Sequence, residues 1–286
     1  MYPQPVNNAA LLTALLAALL FGAATPVSKT LLSGLTSFQL AGLLYLGAAL
    51  GVTILLVREK KFVLPWRMDR RNALFLLASI LFGGILGPLA LLAGLQLASA
   101  ASVSLWLNLE MVATAVLGHF IFKDHLTRRG WLAAGGIFLA AGILAAGEGA
   151  AGLTAGLFVL AACLCWGIDN HATALIDGIT PAQSTFWKGL AAGAVNLAIG
   201  LSMTPIREFG INVLQGLAMG VFAYGFSIVF YISSAQQLGA TRSQLIFSSA
   251  PFWGVLLSII LLGERFTWQL GLAVVLLIGS IWLLSR

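Results

Sequence analysis

Apolar positions along this chain gather into ten blocks, at about residues 9–32, 36–57, 72–97, 101–122, 129–147, 152–176, 180–203, 212–237, 242–262 and 266–285, with short polar interruptions between them. Most blocks reach the roughly 20 residues that a helix needs to cross a bilayer. The pattern predicts ten transmembrane helices that use nearly the whole chain, and the only loop of any size is residues 58–71. Composition supports the same reading: 60% of residues are hydrophobic and 8% are charged, against roughly 25% charged in soluble domains. The expected fold class is an all-α membrane protein with no extramembrane domain.

Polar punctuation between the blocks repeats itself. Phe21-Gly22, Leu35-Thr36 and Gln39 are echoed in order by Trp166-Gly167, Ile179-Thr180 and Gln183. Asp124-His125-Leu126-Thr127 is echoed 140 positions later by Glu264-Arg265-Phe266-Thr267. Each match is weak, and their common order carries the argument for two five-helix units, residues 9–147 and 152–285. Five crossings are an odd number, so the second unit must enter the membrane from the opposite side. Inverted repeats of this kind underlie many alternating-access transporters.

Charge then orients the bundle. Arg58, Lys60, Lys61, Arg67, Arg70 and Arg71 follow the second block, Lys123, Arg128 and Arg129 follow the fourth, and Arg242 and Arg286 fall on the same side. Only Arg207 and Arg265 lie opposite. By the positive-inside rule both termini are expected in the cytoplasm, in a multi-pass protein of the inner (cytoplasmic) membrane. The net charge of +6 is absorbed by this asymmetry, and no nucleic-acid partner is expected. Residues 1–8 carry no Lys or Arg and the first block is too long for a secretory h-region, so it is expected to be retained as a helix. Cys163 and Cys165, two apart in one helix, turn to different faces; they are expected to be packing residues, with no disulfide and no metal.

Within the blocks, Pro26, Gly87-Pro88 and Pro251 are the candidate hinges, because proline removes a backbone hydrogen bond and kinks a helix. Such breaks serve gating or are static kinks. Gly216 and Gly220 mark one close helix contact of the kind that van der Waals packing in lipid favours. In the eighth block Tyr224, Ser227, Tyr231 and Ser234 recur on one face. That stripe either lines a cavity or bonds to neighbouring helices.

Six ionisable residues fall inside spans: Lys29, Glu110, His119, Asp169, His171 and Lys188. A charge at mid-helix costs on the order of 2.5–3.5 kcal/mol to insert, so each needs a partner or water. Asp169 and Lys188 are each about nine to ten residues from a turn near Gly178-Ile179, which puts both roughly 14 Å deep and predicts their contact. The pair either holds the hairpin or is contested by substrate or a proton. Glu110, about ten residues into the fourth block, is a candidate proton carrier, with Trp106 on its face and Asn108 about 200° away. Lys29 is expected to snorkel to the outer interface, and His119 to be structural. Asp169-Asn170-His171 stands where the first half has Ala24-Thr25-Pro26, an asymmetry that suits an asymmetric solute.

These features resemble the drug/metabolite transporter superfamily, in its ten-helix bacterial EamA branch. The resemblance rests on Phe21-Gly22 and Lys29, Trp166-Gly167, Pro251, and Leu262-Gly263-Glu264-Arg265-Phe266-Thr267, and it spans essentially the whole chain. It implies a secondary transporter, commonly an exporter, with a central cavity lined by helices one, three, four, six, eight and nine. On this chain those helices offer Trp106, Glu110, Trp166, Asp169, Asn170, Tyr224, Tyr231, Phe247 and Ser248 as substrate-binding candidates. Leu109-Glu110-Met111 departs from the family, which often has a proline there, and favours a cationic or zwitterionic solute or proton coupling.

The expected function is export of a small amphipathic or zwitterionic metabolite, an amino acid or similar. A cationic drug or a metallophore is the alternative, and an accessory membrane protein the non-transporter alternative. An intramembrane protease is disfavoured, since no His-Glu-x-x-His is present. No helix carries the repeated charge expected of a channel. The expected partners are a solute, the bilayer and, for coupling, protons; no cofactor is expected, and monomer and homodimer both remain open.

Overall fold

A computed structural model describes residues 8–59, 61–121, 125–205, 210–238, 243 and 246–284. Of the residues used above, Lys60, Lys123, Asp124, Arg207, Arg242 and Arg286 lie outside this set. Among the described residues the chain is helical and contains no strand. Eight helices are long and apolar enough to cross a membrane: α1 Asn8–Leu31, α2 Ser37–Leu56, α3 Arg70–Leu97, α4 Ala100–Ile121, α5 Arg128–Gly147, α6 Gly149–Ala174, α7 Pro181–Met203 and α8 Ile211–Ser234. Two shorter apolar helices, α9 Ala250–Leu262 and α10 Trp268–Leu283, complete the set of ten.

Capping chemistry sets the helix starts. Thr36 accepts from the Gln39 N–H at 3.2 Å while Gln39 Oε1 accepts from the Thr36 N–H at 3.0 Å, a reciprocal capping box. Thr180 caps α7 through the Gln183 N–H at 3.2 Å. Thr127 caps α5 through Gly130 and Thr267 caps α10 through Leu270. Much of the sequence echo is therefore helix-start chemistry used twice. Asp69 accepts from the N–H groups of Arg71 and Asn72, so α3 begins at Arg70, two residues before the apolar block does.

The main packing relations recur when each helix is exchanged with the one five places later. α3 packs on α6 as α8 packs on α1; α4 packs on α6 as α9 does on α1; α2 packs on α8 as α7 does on α3. The three self-related pairs are α2 with α7, α4 with α9 and α5 with α10. Gln39, at the start of α2, donates to Thr204 O at 2.6 Å near the end of α7. Gln183, at the start of α7, donates to Lys61 O at 2.6 Å just beyond α2. Equivalent helices thus run antiparallel, which is the geometry of an inverted repeat.

Small residues carry the crossings. A Cβ on Gly22 would lie 2.8 Å from Trp253 Cβ of α9, and one on Gly167 would lie 3.1 Å from Thr114 N of α4. The repeated aromatic-glycine motif therefore marks equivalent crossings, where a side chain would force the backbones apart. Gly216 and Gly220 pack on α2, a Cβ on Gly220 lying 2.9 Å from Gly47 Cα.

Five helices depart from α geometry. α3 has a π-helical stretch at Ser79–Leu86 and α8 an equivalent one at Gly220–Phe226. Gly87 N–H accordingly bonds Phe82 O, and Ser227 N–H bonds Phe222 O. Helix α1 is interrupted at Ala23, three residues before Pro26. In α4 a tight turn at Leu107-Asn108 separates Ala100–Trp106 from Leu109–Ile121. In α9 the turn is Ser248-Ser249, and helix restarts at Ala250 with Pro251 in its first turn.

Candidate functional site

The π turn and Pro88 together free carbonyls in the middle of α3. Pro88 has no N–H for Gly84 O, which instead accepts from Asn196 Nδ2 of α7 at 3.0 Å. Gly83 O accepts both Trp166 Nε1 of α6 at 3.1 Å and the Tyr45 hydroxyl of α2. Unmet carbonyls in hydrocarbon cost several kcal/mol, and here three helices supply the donors.

Gly83 also makes room for the principal charge. A Cβ there would overlap the carboxylate of Asp169 on α6. Asp169 Oδ2 lies 2.7 Å from Lys188 Nζ. Its Oδ1 accepts from Ser79 Oγ at 2.5 Å and Thr173 Oγ1 at 2.9 Å. The aspartate side chain is 8% exposed and the lysine 17%, so the charge is compensated and nearly closed off. Helix α6 ends at Ala174 and α7 starts at Pro181, so the pair lies only roughly 8–11 Å from those ends at about 1.5 Å per residue. The sequence arithmetic placed it deeper because it counted the intervening turn as helix.

A second polar contact adjoins the first. Asn170 Nδ2 donates to Glu110 Oε1 at 3.0 Å and to Thr114 Oγ1 at 3.1 Å, and His171 Nε2 meets Thr114 O at 2.9 Å. Successive residues of α6 thereby link Lys188 on α7 to Glu110 on α4. Glu110 lies in the first turn of the half-helix Leu109–Ile121, where the positive end of the helix dipole favours an anion. Pro251 holds the equivalent place in the half-helix of α9. The Asn108 amide folds back onto Leu105 O of its own helix at 2.9 Å.

Aromatic side chains border this cluster. Tyr45 and Tyr224 have ring centroids 6.0 Å apart, Tyr224 and Phe21 5.7 Å, Phe21 and Phe247 5.4 Å, and Phe247 and Tyr231 5.2 Å. The row joins α2, α8, α1 and the segment before α9. Ser248 sits in the turn where α9 is interrupted. On α8 the two serines of the stripe bond neighbouring segments and the two tyrosines pack against rings. Ser227 bonds Ala17 O at 2.9 Å and Ser234 meets Ser243 at 2.8 Å, while the tyrosines join the aromatic row.

Trp106 is not brought to the cluster. It is 1% exposed and its Nε1 donates to Ala141 O of α5 at 3.0 Å. The turn at Leu107-Asn108 breaks the helical phase that relates it to Glu110. Lys29 Nζ donates to Leu95 O at 2.5 Å and Ala98 O at 2.9 Å, closing the C-terminus of α3. On the same side, Glu264 accepts from the Ala100 and Ala101 N–H groups at 2.7 and 2.8 Å, and Glu148 accepts from Ser102 Oγ at 2.7 Å. The tip of the α3–α4 hairpin is thus held by three helices or turns of the bundle. His119 accepts from the Leu126 N–H at 3.1 Å, a structural contact. An open cleft of about 620 Å³ lies at this Lys29 end, lined by Ser33, Thr36, Ser37, Gln39, Gln96 and Thr204 among others.

Sequence reasoning missed Tyr45, Ser79 and Asn196. The available signal was a lone hydroxyl or amide in an otherwise apolar span, which needs a buried partner.

A duplicated, multi-pass bundle, helical throughout its described regular elements, with interrupted helices and a charged cluster inside its spans has the architecture of a membrane transporter. The EamA-like transporter family matches the chain twice, over residues 8–146 and 153–286, and the chain belongs to that family. It is 24% identical over 291 residues to an uncharacterized transporter of Methanothermobacter thermautotrophicus (strain Delta H), covering 94% of this chain and 83% of the relative. A crystal structure of another protein shares the fold at a TM-score of 0.64 and 18% identity, covering 97% of this chain and 96% of that one.

Proposed function

We propose that this transporter works by alternating access, with its two halves, residues 9–147 and 152–285, rocking about a solute site formed by Asp169, Lys188, Glu110 and Asn170. Trp166 and the aromatic row of Tyr45, Tyr224, Phe247 and Tyr231 flank that site, with Ser248 at its edge. The observation that carries this reading is that successive residues of α6 make two adjoining polar contacts, Asp169 with Lys188 and Asn170 with Glu110, beside aromatic rings and close to the helix interruptions. A zwitterion, such as an amino acid or a similar metabolite, answers both signs: its ammonium group competes with Lys188 for Asp169 or adds to Glu110, and its carboxylate goes to Lys188. The interruptions near Pro26, Gly87-Pro88 and Pro251 are the hinges of the motion. In this reading the direction is export, by the family resemblance, both termini are cytoplasmic, by the distribution of basic residues, and the membrane is the inner (cytoplasmic) one. Protons are the coupling ion in this reading, with Glu110 and Asp169 as the carriers.

Among the described residues Glu110 accepts from the Asn170 amide and has no cation within ion-pair distance, which favours a second reading: a cationic drug or a metallophore with a cationic group. Proteoliposomes under a proton gradient, tested with amino acids, metallophores and cationic drugs, separate the two. Zwitterion flux abolished by Asp169→Asn and slowed by Glu110→Gln supports the first reading. Flux of cations alone supports the second, and flux of no member of the panel overturns both.

A further inference from the structure

We propose that the strap between α2 and α3 is a docking surface for anionic phospholipid headgroups. Its backbone is pinned across the start of α7. Gln183 bonds Lys61 O at 2.6 Å and the Val63 N–H at 3.0 Å, and Trp187 Nε1 donates to Val63 O at 3.0 Å. The strap is therefore a built surface and not a loose tether. Phe62 packs on Phe186 and Trp187 at 5.8 and 5.2 Å between centroids, and Trp66 edges onto Trp187 at 6.4 Å. Trp66 nevertheless remains 74% exposed and Phe62 47%. These rings sit where α2 ends and α7 begins, the level at which amphipathic aromatics meet headgroups.

Charge selects the partner. Arg58, Lys61, Arg67, Arg70 and Arg71 are exposed, and none forms an ion pair among the described residues. The neighbouring acids are engaged elsewhere. Glu59 accepts from Thr180 Oγ1 and Gln183 Nε2, and Asp69 accepts from Arg71, Asn72 and the Asn72 amide at the start of α3. Asp177, held through its N–H by Asn72 Oδ1, offsets part of the charge. Arg71 lies over the Phe75 ring, 5.5 Å from its centroid, with its guanidinium beside apolar surface. Guanidinium forks next to aromatic rings suit the phosphodiester of a lipid with net negative charge. A zwitterionic headgroup carries a cation that these residues repel.

The test uses the full chain, stripped of lipid in detergent and titrated with phosphatidylglycerol or phosphatidylcholine, with adducts quantified by native mass spectrometry. Wild-type protein is expected to bind phosphatidylglycerol more tightly. At roughly fivefold per basic residue at a membrane surface, the triple variant Arg67→Gln/Arg70→Gln/Arg71→Gln should lose about a hundredfold and with it the preference. Arg128→Gln/Arg129→Gln, on the same side but off the strap, should retain it. An unchanged melting temperature of both variants in phosphatidylcholine establishes that they fold. The proposal is overturned if the triple variant keeps its preference, if the α5 variant loses as much, or if phosphatidylcholine binding falls in parallel.

Discussion

The contact between Asp169 and Lys188 lends itself to a double-mutant cycle. Asp169→Asn preserves an oxygen that can accept from Ser79 and Thr173, so the substitution removes charge and little else. It leaves Lys188, 17% exposed, without its counter-ion inside a membrane span. Removing one partner of a buried pair typically costs about 3–5 kcal/mol, whereas replacing both with apolar or neutral groups is often near neutral. Asp169→Asn and Lys188→Met should each lower the melting temperature in detergent by on the order of 10 °C, and the double variant should regain most of that loss. A coupling energy of at least about 2 kcal/mol is expected. Additive effects of the two single substitutions would refute the energetic argument. Transport supplies the second arm: the restored double variant is expected to be folded and inactive. Full activity in it would reduce the pair to a hairpin fastener and remove it from the solute site.

Gly83→Ala should destabilise by about 1–3 kcal/mol, typical of overpacking, and abolish flux, because the added methyl overlaps the Asp169 carboxylate; Gly135→Ala, with nothing within 4 Å of its Cβ position, should be silent in both assays. Glu264→Ala removes the acceptor for two N–H groups at the start of α4 and should cost about 1–2 kcal/mol, the range of lost helix caps, read as a lower melting temperature. Gln183→Leu should free the strap from α7, and limited trypsin digestion should then cleave after Lys61 faster than in wild type. Hydrogen bonds from the Asn72 side chain and from backbone N–H groups hold the Asp69 carboxyl below its usual range. Its stabilising effect is present above the unfolded pKa of about 4 and fades as pH falls through the lower folded value. The difference in melting temperature between wild type and Asp69→Ala should therefore be flat from pH 5 to 8 and shrink only in acid.

Sequence periodicity was a sufficient guide to the ten helices because bilayer thickness imposes length and composition on each span. The pairing of Asp169 with Lys188 was also legible, since a short hairpin fixes which residues of α6 and α7 can meet. Depth was less so, because apolar character continues past Ala174 into the turn and hides the helix end. The orientation of Trp106 was lost for a related reason: nothing apolar or polar at Leu107-Asn108 announces that the helix loses phase there, and no proline marks it. The π turn in α8 gave still less warning, whereas its counterpart in α3 was flagged by Gly87-Pro88. Tyr45 and Asn196 were hidden because their partners are carbonyls freed by that turn, and carbonyls have no letter in a sequence.

The mid-span restart of α4 and α9 bears on how such a chain could have arisen. Two separate copies of one half, inserted in opposite directions, would bear every substitution twice: two acids at the restart, or two prolines, but never one of each. Glu110 opposite Pro251, like His171 opposite Pro26, is a difference that a single polypeptide carrying both halves can hold and a homodimer of one half cannot. With both halves in one chain the centre can be lopsided, which is what the proposed zwitterion site requires.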